Sequence, residues 1–108
     1  MSNQFAPIQV FDNQTANGNS LEFYADGLNP NSSNNPMIII NGTFDGALLK
    51  LQIEDPDENW LDTDLGNDSW TVAACDFIVR NPYAKYRFNL SGVGTTDISV
   101  WVFGCRAA

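Results

Sequence analysis

Apolar and polar residues alternate cleanly in two stretches of this chain. In residues 47–54, Leu49, Leu51 and Ile53 fall on one side and Lys50, Gln52 and Glu54 on the other. In residues 85–90, Tyr86, Phe88 and Leu90 alternate with Lys85, Arg87 and Asn89. A period of two sends successive side chains to opposite faces of an extended backbone, so each stretch predicts a half-buried strand. Three further apolar runs read as strands: 37–40, ending at the turn dipeptide Asn41–Gly42; 70–79, with a bend near Asp76; and 98–103. A shorter one is expected at Trp60-Leu61-Asp62-Thr63. The register of 98–103 stays open, because Trp101 and Phe103 make its second face apolar as well. Such a strand is either covered on both sides or lies at an interface.

Turn chemistry separates these runs. All five prolines (Pro7, Pro30, Pro36, Pro56, Pro82) fall at their boundaries, and 91–94 reads as a hairpin-like break. No segment holds a helical period. Short strands separated by Gly, Pro and Asn about every ten residues predict an all-β, antiparallel β-sandwich of seven to eight strands, jelly-roll-like or Ig-like. Residues 1–36 differ from the rest. They are rich in Asn, Gln, Ser, Thr and Gly, with apolar islands at 8–11 and 21–24 and a turn-rich stretch at 29–36. They read as an extended N-terminal arm with one or two short strands, and 37–108 as the sandwich body.

Composition narrows the function. The 108 residues include 44% hydrophobic and 12% aromatic side chains, enough for one globular domain. The net charge of -8 opposes phosphate backbones and anionic lipid, so neither nucleic acid nor membrane is an expected partner. No run approaches the ~20 apolar residues that span a bilayer. The opening residues show neither a basic nor an apolar signal region, so synthesis in a reducing cytoplasm is expected, with Cys75 and Cys105 as buried free thiols and a disulfide as the alternative. The five N-x-Ser/Thr sequons (at Asn13, Asn31, Asn41, Asn67 and Asn89) then follow from an Asn-rich composition.

Histidine is absent, which removes the commonest general base and the Ser-His-Asp and Cys-His arrangements. No catalytic residues and no cofactor are assigned. The acids Asp55, Asp57, Glu58, Asp62, Asp64 and Asp68 crowd one loop region. Their first reading is a solvated loop. The alternative is calcium held by Asp62, Asp64 and Asp68, although the spacing departs from an EF-hand and supplies no bidentate Glu. Trp60, Trp70, Trp101, Tyr24 and Tyr83 are candidates for a sugar-stacking platform, set against the plainer role of core or interface anchors.

The stretch Asn41-Gly-Thr-Phe-Asp-Gly-Ala-Leu-Leu-Lys-Leu-Gln-Ile53 resembles a strand–turn–strand of small structural proteins of tailed bacteriophages. The subsequent order of acidic loop, Trp60, Tyr86-Arg-Phe-Asn-Leu-Ser-Gly-Val-Gly94 and closing strand is similar to small β-sandwich virion proteins of the capsid decoration (cement) type. The resemblance spans about residues 37–103; 1–36 and the two cysteines lie outside it. It implies a virion part on the capsid surface, made in the host cytoplasm, that binds the major capsid protein or other virion proteins as a homotrimer. Phe11, Tyr24, Trp101 and Phe103 are the expected interface residues. The alternative function is a carbohydrate-binding β-sandwich module of a receptor-binding or fibre tip.

Overall fold

A computed structural model of the chain describes residues 7–24, 36–63, 68–77 and 84–108. These form eleven strands: β1 (Ile8–Gln14), β2 (Gly18–Asn19), β3 (Phe23–Tyr24), β4 (Met37–Thr43), β5 (Leu48–Glu54), β6 (Trp60–Asp62), β7 (Ser69–Trp70), β8 (Ala74–Phe77), β9 (Lys85–Ser91), β10 (Asp97–Phe103) and β11 (Arg106–Ala107). Every pairing is antiparallel. A four-stranded sheet runs β1-β10-β4-β8; a seven-stranded sheet runs β11-β3-β9-β5-β6, with β2 on β9 and β7 on β5. The two sheets pack face to face as a β-sandwich, the expected fold class. Seven of the eleven strands are three residues or longer, within the expected number.

The two alternating stretches are β5 and β9, adjacent in the seven-stranded sheet with Leu51 opposite Phe88. Their inward residues Leu49, Leu51, Tyr86, Phe88 and Leu90 are fully buried. Phe23 stacks on Phe88 and Tyr86 with ring centroids 5.6 and 6.2 Å apart, and Trp70 meets the edge of Phe88 at 5.9 Å. From the facing sheet come Ile38, Ile40, Ile98, Val100 and Val102. Removal of these apolar side chains from water supplies most of the drive to fold.

Four local expectations are corrected. Residues 7–24 are part of the sandwich and not a loosely tied arm: β1 pairs with β10, β3 with β9, and Val10, Phe11 and Phe23 sit in the core at 4%, 3% and 0% exposure. Register shifts on either side of Phe11 let adjacent residues Val10 and Phe11 both turn inward, which breaks the period of two that would have marked a core strand. The rest of the expected arm, 1–6 and 25–35, lies outside the described residues. Asn41–Gly42 is no turn. β4 continues to Thr43, and the reversal comes at Asp45 (φ 46°) and Gly46 (φ 83°), closed by a 3.0 Å bond from Ala47 N–H to Phe44 C=O. The break expected at Asp76 falls instead at 71–73, where the chain leaves β7 in one sheet for β8 in the other. Asp76 lies inside β8 and accepts a 2.8 Å hydrogen bond from the Trp70 indole. Cys75, expected in the core, is exposed because its register partner Ile39 points outward; Cys105 is buried, and the two are not joined in a disulfide.

Candidate functional site

The two outer faces of the sandwich differ in kind. On the seven-stranded sheet the outward residues satisfy one another. Lys50 Nζ and Gln52 Nε2 both donate to the Asp62 carboxylate, at 3.1 and 2.9 Å, and Arg87 Nε donates to Gln52 Oε1 at 2.9 Å. The Arg87 guanidinium also covers the Trp60 ring at 4.3 Å, and that of Arg106 covers Tyr24 at 4.3 Å. Lys85 sits between Glu22 and Glu54, 3.6 Å from each. The electrostatic consequences follow directly: the Gln52 and Lys50 bonds hold the Asp62 carboxyl below its ordinary range, and the Glu54 carboxylate, ahead of Tyr24 and Glu22, raises the Lys85 ammonium. All the described cations, Lys50, Lys85, Arg87 and Arg106, belong to this sheet.

The outer face of the four-stranded sheet carries none of them. Register fixes what it does carry. Trp101 on β10, Ile39 on β4 and Cys75 on β8 form one row across the strands; Phe103, Met37 and Phe77 form the next. These six side chains make a continuous apolar field. Phe77 is 63% exposed and the Cys75 thiol donates to Met37 Sδ at 3.6 Å. The two faces of β10 are therefore both apolar for separate reasons: Ile98, Val100 and Val102 build the core, whereas Trp101 and Phe103 face outward.

Beyond Trp101 the same face turns polar. Ser99 opposes Asn41 and Asp97 opposes Thr43, and β1 adds Gln9, opposite Trp101, with Asp12 and Asn13. Together with Gly42 these residues line an open depression of ≈ 470 Å³, with Trp101 at its wall. Asn13 adopts a left-handed conformation (φ 48°) beside the β1 bulge. Its N–H donates to Ser99 Oγ at 3.0 Å, and the Ser99 hydroxyl donates to Asn13 Oδ1 at 3.4 Å.

The expected interface residues thus separate. Trp101 and Phe103 share the open face of the four-stranded sheet. Tyr24 lies on the opposite face beneath Arg106, and Phe11 is in the core, where it has no surface to offer a partner. The aromatic platform is likewise dispersed: Trp70 is buried, Trp60 and Tyr24 are covered by cations on the seven-stranded sheet, Tyr83 lies outside the described residues, and Trp101 alone of the described four belongs to the open face. Of the calcium candidates, the two described ones are placed differently. Asp62 is engaged by Lys50 and Gln52 at the surface, Asp68 is buried at 6% exposure, and Asp64 lies outside the described residues. Among the described residues no three His, Cys, Asp or Glu side chains converge as a metal site. The polar residues of the depression carried no signal that singled them out in sequence; the phase of β10, which sends Ser99 to the same side as Trp101, is the one clue that leads to them.

Among the described residues, these features define a two-sheet antiparallel sandwich with one outer face closed by its own polar contacts and one left open. No protein-family model, curated protein or solved structure matches the chain.

Proposed function

We propose that this chain is a non-enzymatic structural protein of a tailed-bacteriophage virion, a capsid decoration protein that lays the open face of its four-stranded sheet against the major capsid protein and works as a homotrimer. The observation that carries the reading is the contrast between the two faces. The seven-stranded sheet has spent its charged groups on one another, whereas Met37, Ile39, Cys75, Phe77, Trp101 and Phe103 present an uncharged field in strict register. A protein that clamps a shell needs area and aromatic anchors more than a deep pocket. The charge of -8 keeps the free protein soluble and steers it toward basic ground on a partner.

The test is solution mass by light scattering, then co-sedimentation with purified heads of the phage that encodes the chain. A trimer that saturates heads at a fixed stoichiometry, with Phe77→Asp binding at least about tenfold more weakly, is the expected result. A monomer that stays in the supernatant with heads in excess contradicts the proposal.

A further inference from the structure

The polar half of the open face has the chemistry of a saccharide site. We propose that the depression between β1, β10 and β4 binds a neutral glycan, with a sugar ring stacked on Trp101 and its hydroxyls bonded to Asn13, Asn41 and Asp97. Capsid docking rests on the apolar half of the face and the glycan site on the polar half; Trp101, at the boundary, is the residue the two share.

Three observations lead to it. The first is the lining. A sugar offers an apolar C–H face and a rim of hydroxyls, each both donor and acceptor. An indole beside two Asn amides, a Gln amide, two hydroxyls and two carboxylates matches both parts. Among the described residues, no side-chain hydrogen bond or ion pair engages Asn41, Thr43, Asp97 or Trp101, so these groups remain available. The opposite face, where Trp60 and Tyr24 lie under guanidinium groups, offers no such vacancy for a ring.

The second observation is that position 42 of the lining admits only glycine. Gly42 has φ 122°, a conformation that L-residues rarely adopt, and a Cβ there would run into the Asp97 carbonyl oxygen and the Ile98 Cα of the neighbouring strand. Any side chain at 42 would push β4 and β10 apart under the ligand. The third is preorganisation. Asn13 is held in a left-handed conformation, which Asn adopts more readily than other side-chain-bearing residues, and the reciprocal pair with Ser99 fixes it. Because Ser99 donates to Asn13 Oδ1, the Asn13 amide NH₂ is left to donate to a ligand.

Charge selects the ligand class. Asp12 and Asp97 line the depression and no described cation lies on this sheet, so sialylated, sulfated and phosphorylated glycans are repelled. A volume of ≈ 470 Å³ suits a short oligosaccharide segment. An open, hydrated site with one stacking platform gives a Kd of about 0.1–10 mM for a single site.

The test is amide and indole NMR shift mapping on the intact chain. The probes are maltotriose, cellotriose, mannotriose, lactose and N,N′,N″-triacetylchitotriose, with sialyllactose as the anionic control. At least one neutral probe is expected to shift the Trp101 indole and the amides of Asn13, Asn41, Gly42 and Ser99 saturably. Trp101→Ala and Asn13→Ala are expected to bind that probe at least tenfold more weakly, while Phe77→Ser binds it unchanged; native dispersion of the variant spectra shows that loss of binding is not loss of fold. Silence across the neutral probes, shifts centred elsewhere, equal binding by Trp101→Ala, or preferential binding of sialyllactose would each overturn the inference. Co-sedimentation of Asn13→Ala with heads is read separately: its retention alongside glycan loss assigns the two activities to different halves of the face.

Discussion

Phe11→Ala tests whether the first strand is part of the domain. Phe11 is 3% exposed, opposite Val100 in the β1–β10 ladder, in the same core as Ile38, Ile40 and Phe88. Truncating a buried Phe removes its transfer free energy and leaves a cavity, a loss of about 3–5 kcal/mol. A domain of this size has about 5–15 kcal/mol in total, so the variant retains its fold with a much reduced margin. With a urea dependence of roughly 1.5 kcal/mol per M, the unfolding midpoint falls by about 2–3 M. The assay is urea unfolding followed by tryptophan fluorescence, which reports on Trp70 in the core. Phe103→Ala, on the outer face, is the control and costs less than about 1 kcal/mol. A Phe11→Ala loss below 1 kcal/mol, or one no larger than that of Phe103→Ala, would refute the packing of β1 and return residues 7–24 to the status of an arm.

Three other perturbations have defined outcomes. Ser20 Oγ accepts from the buried Phe88 N–H at 2.8 Å and donates to Leu21 C=O at 2.8 Å, so Ser20→Ala strands a ladder donor and costs about 1–3 kcal/mol by chemical denaturation. Gly42→Ala combines a forbidden φ with a backbone collision across β4 and β10, and is expected to lower stability by about 2 kcal/mol or more; a neutral effect would mean that the strands are not as close as described. Asp62, whose carboxyl is held below 3.8 when folded, stabilises the native state above its unfolded value and loses that contribution as pH falls through the lowered folded value. Because its side chain is half exposed, the wild-type advantage over Asp62→Asn is at most about 1 kcal/mol at neutral pH, and it vanishes in unfolding curves taken at progressively lower pH below 3.8.

How much of this was legible in sequence depends on whether each strand buries one face. β5 and β9 do, and their alternation states both the strand and its inward side. β4 offers the run Ile38-Ile39-Ile40, whose phase cannot be read because Ile39 belongs to the outer apolar field. β1 hides its contribution to the core behind a bulge and a polar composition, so Val10 and Phe11 read as an island. The sheet change at 71–73 is a tertiary event with no local marker stronger than the apolar run around it. Trp101 and Phe103 stood out because they break the alternation of a core strand, and they do mark the open face. The depression beside them did not stand out: it is assembled from residues 9–13, 41–43 and 97–101, which only strand pairing brings together, and Asn41–Gly42 looked like a turn.

If the open face of the four-stranded sheet is the surface presented to a partner, as proposed, Cys75 reports on it directly. Cys75 is exposed at the β8 edge of the apolar field while Cys105 is buried, so a maleimide distinguishes them by rate. The measurement is the labelling rate of Cys75 in the free protein and on saturated phage heads, read by mass spectrometry of the two thiol peptides. Fast labelling of free protein, strong protection of Cys75 on heads and slow labelling of Cys105 in both states is the predicted result. Cys75 labelling equally fast on saturated heads would place the contact elsewhere and contradict docking through this face.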